Sequence, residues 1–471
     1  MLKITILFFI LPFSLLSQTT YYEKVFGTSG NDVSRSVKQL SSGSIYVLGN
    51  SDTLNGGDIT LSKLDRNGNL LWTNYYGTPN MDNGFYVNLT SDGNLVFTGE
   101  SETASNNLDV LIYKVDTAGA VIWNKTYATA VNETAKYIEQ TADGGYILAG
   151  SQNDVFGFYD MLVLKLDGNG DYQWNQTFGR NNNDIADMVR QVNGTYVLTG
   201  DTRSYGAGGN DVMLYDLDSL GNEIWSHTYG DSLQNGCQGV FITSDTNLLS
   251  YGETEIYPSS AFNFYLQKID LNGNSLWRYT YGGTGADAVF SVNEDADGGF
   301  VCTGYSNSYN GFNPLDLVIF KVDRFGSFLW EQTYGGPGID IGYEIIKSVD
   351  DDGFIITGQT FSNNNDYYLL KLNNAGLISG ISNYENQSGQ LSNAFPNPAN
   401  GAIFINYKLN DPAKKYTMTV RDVCGKMLQQ KIVNASENVV KMDVSALSPG
   451  MYFYTLMMGD AAIATKKFIV N

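Results

Sequence analysis

Histidine, cysteine and basic residues are scarce in this chain of 471 residues. It has one histidine, three cysteines, and 28 lysines and arginines against 49 aspartates and glutamates. The single histidine, His227, does not favour a Ser-His-Asp triad or a zinc site that needs histidine. Three cysteines do not make the disulfide framework of a small exported domain. The net charge of −21 argues against nucleic acid and anionic membranes as partners.

Long apolar runs are also missing after the first residues. Lys3 precedes the apolar stretch from Ile4 to Leu16, and the small residue Ser17 follows it. This order is typical of a secretory signal peptide over residues 1–17, and the run is too short for a comfortable membrane span. The sequence therefore predicts an exported chain without a transmembrane segment.

What the chain does contain is a repeat of about 50 residues, the period of an array built from one supersecondary unit. Each unit carries one aromatic residue in the same phrase, as in Leu61-Ser-Lys-Leu-Asp-Arg-Asn-Gly-Asn-Leu-Leu-Trp72. These residues are Trp72, Trp123, Trp174, Trp225, Trp277 and Trp330, with Tyr22 in the same place near the start. We expect them to pack one unit against the next.

The pattern within each unit predicts four short strands. Two tight turns, of which Asp143-Gly144-Gly145 is the clearest, separate runs rich in aromatic and β-branched residues. Seven such units predict an all-β fold, a seven-bladed β-propeller over residues 18–373 with four-stranded blades. The last unit lacks its fourth strand, so the strand that begins at Tyr22 is expected to complete it and close the ring.

An acidic or amide residue opens the first strand of each unit. The acidic members are Asp32, Asp82, Glu133, Asp184, Asp287 and Asp340. Recurrence favours a structural role, in which each carboxylate pairs with backbone N–H groups of the neighbouring loop. A ring of carboxylates that binds a cation, or a carboxylate pair that hydrolyses glycosides, are the alternatives. No pair stands out, so no catalytic residue is predicted.

Several second turns resemble the first half of a calcium loop, as in Asp65-Arg-Asn-Gly-Asn69 and Asp167-Gly-Asn-Gly-Asp171. They lack the remote bidentate glutamate of such loops, and Asp at a turn commonly caps local amides. We therefore predict no metal site and no cofactor, with calcium at these turns as the alternative.

The variable loops, by contrast, are expected to share one face of the propeller. Tyr205, Tyr257, Tyr309 and Phe312 lie in them, among Ser, Asn and Gly, a composition that suits adaptable binding loops. We expect these rings to be largely exposed and to bind a glycan or an extracellular protein. Partial packing over the blade ends is the alternative.

Two resemblances add to this interpretation. The phrase that ends at Trp72 resembles the blade motif of quinoprotein propellers, although the quinone ligands have no visible counterpart. The segment 392–471 holds Phe395-Pro-Asn-Pro-Ala399, Met442-Asp-Val-Ser-Ala-Leu-Ser-Pro-Gly-Met-Tyr452 and a final Lys466-Lys-Phe-Ile-Val-Asn471. It resembles the type A C-terminal sorting domain of the Bacteroidota type IX secretion system. That resemblance implies an immunoglobulin-like β-sandwich recognised by the secretion machinery, commonly removed afterwards.

The sequence thus predicts a signal peptide, a propeller, a linker over 374–391 and a sorting domain. The protein would lie at the outer-membrane surface or outside the cell and act as a binding or adhesion module. An extracellular carbohydrate- or peptide-active enzyme using carboxylates of the propeller face, and a purely structural surface protein, are the other hypotheses.

Overall fold

The computed structural model describes two compact units, one that ends at Ile378 and one that begins at Ser379. The described residues are 21–52, 57–102, 107–256, 261–308, 315–336, 338–361, 365–378, 389–395, 399–409, 414–422, 426–434, 439–458 and 461–470. The predicted signal peptide lies outside them. No helix in these ranges is long and apolar enough to cross a membrane.

Within its described residues, the first unit forms seven four-stranded antiparallel sheets. We number the sheets 1 to 7 along the chain, and the strands in chain order. Sheet 1 comprises β2 (Asp32–Gln39), β3 (Ile45–Ser51), β4 (Asp58–Leu64) and β5 (Leu70–Tyr76). Sheet 2 comprises β6 (Asp82–Leu89), β7 (Leu95–Glu102), β8 (Leu108–Val115) and β9 (Val121–Tyr127). Sheet 3 comprises β10 (Glu133–Gln140), β11 (Tyr146–Asn153), β12 (Tyr159–Leu166) and β13 (Tyr172–Phe178). Sheet 4 comprises β14 (Asp184–Val192), β15 (Thr195–Thr202), β16 (Asp211–Leu217) and β17 (Glu223–Tyr229). Sheet 5 comprises β18 (Asn235–Ile242), β19 (Leu248–Ile256), β20 (Ala261–Ile269) and β21 (Ser275–Tyr281). Sheet 6 comprises β22 (Asp287–Glu294), β23 (Phe300–Ser306), β24 (Asp316–Val322) and β25 (Phe328–Tyr334).

Sheet 7 joins the two ends of this unit. It comprises β26 (Ile341–Lys347), β27 (Phe354–Phe361), β28 (Asn365–Leu372) and β1 (Tyr22–Phe26). Strand β1 pairs antiparallel with β28, with Tyr22 opposite Lys371. The strand near the start of the chain therefore completes the last sheet, as the repeat phase predicted.

The seven sheets form a closed ring. The first strand of each sheet contacts the first strand of the next, and β26 contacts β2. Apolar clusters lie between consecutive sheets, and one of them joins Val37 of sheet 1 to Leu369 of sheet 7. A ring of four-stranded sheets that pack face to face is a β-propeller. The second and third strands are buried on both faces, which explains their continuous apolar runs.

The repeated aromatic residues contact the second turn of the following sheet. The ring of Trp72 lies against Gly119, whose φ of 85° and lack of a side chain leave room for it. The same contact joins Tyr22 to Gly68, Trp123 to Gly170, Trp174 to Gly221, Trp277 to Gly326 and Trp330 to Gly376. Trp225 donates Nε1–H to the carbonyl of Leu271 at 3.2 Å. His227 is exposed and lies over Gly273.

A β-bulge interrupts every first strand at the same place. In β2 the register shifts between Ser34 and Ser36, so Arg35 has no partner opposite in β3. The equivalent unpaired residues are Phe85, Lys136, Asp187, Gln238, Phe290 and Tyr343. A bulge redirects the side chain of its extra residue, and bulges are frequent beside functional sites.

The second unit has two antiparallel sheets. The strands are β29 (Gly389–Phe395), β30 (Ala402–Leu409), β31 (Tyr416–Asp422), β32 (Met427–Val433), β33 (Val439–Asp443), β34 (Gly450–Met458) and β35 (Ala461–Val470). Their orders are β29-β30-β33 and β32-β31-β34-β35. Ile403 and Ile405 of one sheet share a buried cluster with Met418 and Tyr454 of the other. The unit is therefore a small two-sheet sandwich.

Candidate functional site

The first strands of the seven sheets surround a central cavity of about 590 Å³. All seven bulge residues line it. They include two cations, one acid, one amide and three aromatic rings, so the ring of sheets presents a surface without sevenfold repetition. Each bulge residue stands two or three residues after the start of its strand, and the long loops emerge at that end of the sheets. We call this cavity the central channel.

Lys38 and Glu344 form an ion pair in the channel, with 2.5 Å between Nζ and Oε1. Glu344 Oε2 also accepts hydrogen bonds from the Val37 amide at 2.6 Å and from the Ser36 hydroxyl at 2.7 Å. Burial lowers the pKa of Lys38, which lies 4.3 Å from the ring centre of Tyr86. Both oxygens of the Glu344 carboxylate thus accept hydrogen bonds from sheet 1.

A second ion pair lies beside the first. Arg190 Nε is 2.9 Å from Glu139 Oε2, and the amide of Gln191 donates to Glu139 Oε1 at 2.5 Å. Burial raises the pKa of Glu139 despite the neighbouring guanidinium. The rings of Tyr86 and Tyr137, 4.4 Å apart, connect the two ion pairs. Burial also raises the pKa of both phenols, so they act as neutral hydrogen-bonding groups.

An acidic group lies nearer the long-loop end. Lys136 Nζ contacts Asp187 Oδ1 at 2.6 Å, and Asp201 Oδ1 accepts the Cys237 amide at 2.6 Å. Burial, and the carboxylates of its neighbours, raise the pKa of Asp201 well above its usual range. Burial raises the pKa of Glu253 to about 7. Asp201 and Glu253 are thus acidic neighbours of the channel residue Asp187.

The opposite side of the channel is aromatic. The Arg35 guanidinium lies 4.5 Å from the ring centre of Tyr343, and Phe290 packs against both Tyr343 and Tyr305. The buried Nε of Arg35 has no hydrogen-bond partner among the described residues. Rings beside a cation form a surface that can bind a polar ligand.

The predicted acidic series does not line this channel. Each of its members is buried and accepts a hydrogen bond from a backbone amide of the preceding loop, as Asp82 does from Thr78 at 2.6 Å. The others accept from Thr28, Thr129, Arg180, Gly283 and Gly336. Asp184 also accepts the hydroxyl of Ser204 at 2.6 Å. The structure thus gives these carboxylates the backbone role that the sequence favoured.

The calcium-like turns also use their carboxylates internally. Asp167 Oδ1 accepts the amides of Asn169 and Asp171 at 2.8 and 2.9 Å, and these bonds lower the pKa of Asp167. Asp65 and Asp270 make the same turn. Among the described residues, no group of three or more His, Cys, Asp or Glu is placed to hold a metal ion.

Of the predicted loop rings, only Tyr205 lies within the described residues. It is half-buried beneath Arg180, whose guanidinium is 4.6 Å from its ring centre, so the expectation of a largely exposed ring was wrong for Tyr205. Tyr257, Tyr309 and Phe312 lie outside the described residues. Phe156, in the equivalent loop of sheet 3, is 78% exposed on a turn that the Asp154 carboxylate holds.

The channel residues were not predicted from the sequence. Each bulge residue stands three positions after the residue that opens its unit, whereas the residue two positions further on is Val or Ile in every unit. Variation at one position of a repeat is the signal that could have revealed them. The cysteines among the described residues, Cys237 and Cys302, are buried, and burial raises the pKa of both thiols.

Comparison with known proteins identifies a family for the second unit, whereas the propeller resembles solved structures only at low sequence identity. Residues 393–471 match the family described as secretion system C-terminal sorting domain. The chain is therefore a β-propeller followed by a C-terminal sorting domain. That domain identifies it as a substrate of the type IX secretion system, exported to the cell surface or the extracellular space. No curated protein matches the sequence.

Solved structures resemble the propeller only distantly. Sqt1 from Chaetomium thermophilum has 13% identity and a TM-score of 0.43, over 72% of this chain and 81% of that one. Drosophila Plexin A in complex with Semaphorin 1b has 9% identity and a TM-score of 0.45, over 75% and 88%. A protein of unknown function from Dyadobacter fermentans has 9% identity and a TM-score of 0.43, over 74% of this chain and 97% of that one. The fold assignment accordingly rests on the strand order and the ring closure.

Proposed function

We propose that this protein is a binding module, secreted or held at the cell surface, whose ligand enters the central channel from the long-loop face. The observation that carries this proposal is the ring of seven β-bulges, which turns seven side chains of six residue types into one cavity. A repeat that served only to build the ring would not need different chemistry at that position. Buried charges reduce stability unless they are paired, so a charged channel favours a role beyond folding.

The wider organisation belongs to the same proposal. The seven sheets are the seven blades of the propeller over residues 18–373, and residues 1–17 are the signal peptide. Residues 374–391 lead from the propeller to the sorting domain over 392–471, and their last three residues begin β29. The two-sheet sandwich of the sorting domain is immunoglobulin-like. The sorting domain binds the type IX secretion machinery, and its removal leaves the propeller at the surface or released.

The ligand class that suits this site is a glycan or an extracellular protein. The channel combines aromatic faces with a cation, an amide and carboxylates, the mixture that binds polar, shape-specific ligands. Exposed loop residues can extend the contact beyond the channel mouth. Phe156 is one, and Tyr205, Tyr257, Tyr309 and Phe312 are the other candidates.

An enzyme that uses the acidic series is less well supported. A glycosidase needs two carboxylates that face its substrate across a fixed gap. In this structure the carboxylates that open the first strands are buried and accept hydrogen bonds from loop amides. They are positioned to hold loops rather than to receive a substrate.

A binding screen with matched variants tests the channel. The chain without residues 1–17 is applied to a glycan array and to a panel of purified extracellular matrix proteins. The channel variant carries Arg35→Gln, Phe85→Ala and Gln238→Ala, three bulge residues outside the ion pairs. The control carries Leu71→Ala, Ile122→Ala and Ile224→Ala, the exposed bulge residues of outermost strands.

A ligand that binds the unmodified chain and the control, but not the channel variant, supports the proposal. Equal melting temperatures of the two variants show that the loss is local. Binding that survives in the channel variant places the site elsewhere, and no binding to any glycan or matrix protein argues for the structural alternative.

A further inference from the structure

Arg35 differs from the other cations that line the central channel. Each of the others forms an ion pair with a carboxylate: Lys38 with Glu344, Lys136 with Asp187, and Arg190 with Glu139. Arg35 forms no ion pair with any described carboxylate. In the described part of the chain, the channel thus carries one positive charge that pairs with no carboxylate, although acidic residues outnumber basic ones by 49 to 28.

The guanidinium of Arg35 lies among aromatic rings. Its Cζ is 4.5 Å from the ring centre of Tyr343, and the ring of Phe290 lies 5.4 Å from that of Tyr343. Stacking on a ring occupies the face of a guanidinium and leaves the N–H groups at its edge for a planar partner. Arg35 also stands at the bulge of β2, near the long-loop end. The group that suits Arg35 best is therefore a carboxylate, because two parallel N–H···O bonds match its shape.

A layer of paired side chains crosses the channel on the tight-turn side of Arg35. Consecutive members are in contact. From sheet 7 through sheets 1, 2 and 3 to sheet 4, they are Glu344, Lys38, Tyr86, Tyr137, Glu139 and Arg190. Lys38 stands three residues after Arg35 in β2, so a ligand that comes from the long-loop face meets Arg35 first. The cavity of about 590 Å³ has the size of a small-molecule site, and it admits a chain end rather than a folded domain.

The far side of the channel presents acceptors for hydroxyl groups. In a ring of seven, sheets 4 and 5 stand opposite sheet 1, which carries Arg35. Their bulge residues are Asp187 and Gln238, and both line the cavity. Carboxylate and amide oxygens accept hydrogen bonds from hydroxyl groups. A ligand that reaches across the channel is therefore expected to combine a negative group with several hydroxyl donors.

We infer that the channel binds the acidic end of a glycan, with a uronate carboxylate on the Arg35 guanidinium and sugar hydroxyls on Asp187 and Gln238. This inference rests on the proposed function and names the ligand class of the same site. An aspartate or glutamate side chain of a protein would supply the carboxylate but not the hydroxyl donors. The net charge of −21 repels an extended polyanion at the outer surface, which favours one acidic sugar inside the cavity.

The test uses the chain without residues 1–17 and oligosaccharides that end in glucuronate, galacturonate or mannuronate. Each has a neutral counterpart in which the carboxyl is reduced to a hydroxymethyl group, and a peptide that ends in two glutamates represents acidic proteins. Affinities are measured by calorimetry at constant ionic strength. The variants are Arg35→Gln and Arg35→Lys. Arg203→Gln is the control, since Arg203 is an exposed cation of a long loop outside the cavity lining.

We expect a uronate probe to bind at least about tenfold more tightly than its neutral counterpart, the effect of one charge-assisted contact. Arg35→Gln should abolish this preference. Arg35→Lys should keep part of it, because the charge remains without the planar fork. Arg203→Gln should keep the whole preference, although it removes the same charge from the same face. Melting curves of the three variants check that the fold is kept.

Equal binding of uronate and neutral probes, or no binding of any uronate probe, overturns the inference. So does a preference that survives in Arg35→Gln, and tighter binding of the glutamate peptide assigns the site to proteins instead. Failure of the proposed function is distinguishable from these results. A neutral glycan or a matrix protein that loses binding in Phe85→Ala, but not in Arg35→Gln, keeps the channel as the binding site and removes only the acidic end.

Discussion

Lys38 and Glu344 join the first and last sheets of the ring through a single ion pair inside the channel. Their charged atoms are 2.5 Å apart, although the residues are separated by 306 positions in the chain. Glu344 also accepts two hydrogen bonds from sheet 1, so one carboxylate holds three donors of that sheet. This ion pair links sheets 7 and 1 on the channel side of the ring, and β1 completes sheet 7 as its outermost strand.

Glu344→Gln should destabilise the propeller strongly. The side chains of Glu344 and Lys38 are only 8% and 11% exposed, and breaking a buried pair from one side typically costs about 3–5 kcal/mol. Urea unfolding measures the loss. Asp171→Asn, which breaks the exposed Lys125 pair, is the control and should change stability by less than about 1 kcal/mol. Equal effects of the two variants would contradict the role of Glu344.

Asp216 should lower stability at neutral pH. Five other sheets place at this position a buried lysine that pairs with an acid of the first turn: Lys114, Lys165, Lys268, Lys321 and Lys371. Sheet 4 has the turn Asn193-Gly194 instead. One buried oxygen of Asp216 lacks a hydrogen-bond partner among the described residues, and burial raises the pKa of its carboxyl.

Because the folded state holds this proton more tightly than the unfolded chain does, ionisation of Asp216 is unfavourable for folding. Asp216→Asn should therefore raise the free energy of unfolding at pH 7 and have little effect below the unfolded pKa of about 3.9. Asp218→Asn is the opposite control, since turn hydrogen bonds lower the pKa of Asp218. That variant should be less stable at pH 7, and the difference should shrink as the pH falls. A destabilised Asp216→Asn protein at pH 7 would refute the argument.

Removal of residues 21–27 should open the ring and destabilise the whole propeller. Strand β28 would then keep an unpaired edge, and the cluster around Tyr22 would lose its cover. Tyr22→Ala alone should cost about 3–5 kcal/mol, because its ring is buried against Gly68. Val25→Ala in the same strand is the control, since Val25 is 54% exposed. Thermal melts within a degree or two of the full chain would refute closure by β1.

Removal of residues 392–471 should leave a folded propeller in the periplasm. The sandwich forms its own core, and the sorting family matches residues 393–471 within it. Fractionation of the native host and circular dichroism of the truncated protein test export and folding separately. Normal amounts of the truncated protein at the surface would contradict the assignment of the sorting signal.

Much of the fold follows from the repeat because each unit carries its own strand signals. The acid that opens a unit, as at Asp82, coincides with the start of a first strand, and the phrase that ends at Trp72 contains the turn before a fourth strand. The backbone role favoured for the acidic series also agrees with the hydrogen bonds observed. The exposure expected for the Tyr205 ring does not agree with the structure, because Arg180 from another part of the chain covers that ring.

The sequence by itself determined the period, the strand phase and the C-terminal sorting domain, since these are encoded in local turn residues, apolar alternation and short motifs. Only the tertiary structure decided which side chains meet. The bulge at Arg35 depends on pairing register with β3, and the Lys38–Glu344 ion pair depends on ring closure. Both bring together groups whose neighbourhood no local pattern specifies, because the contacts form across hydrogen-bonded strands and between sheets distant in the chain.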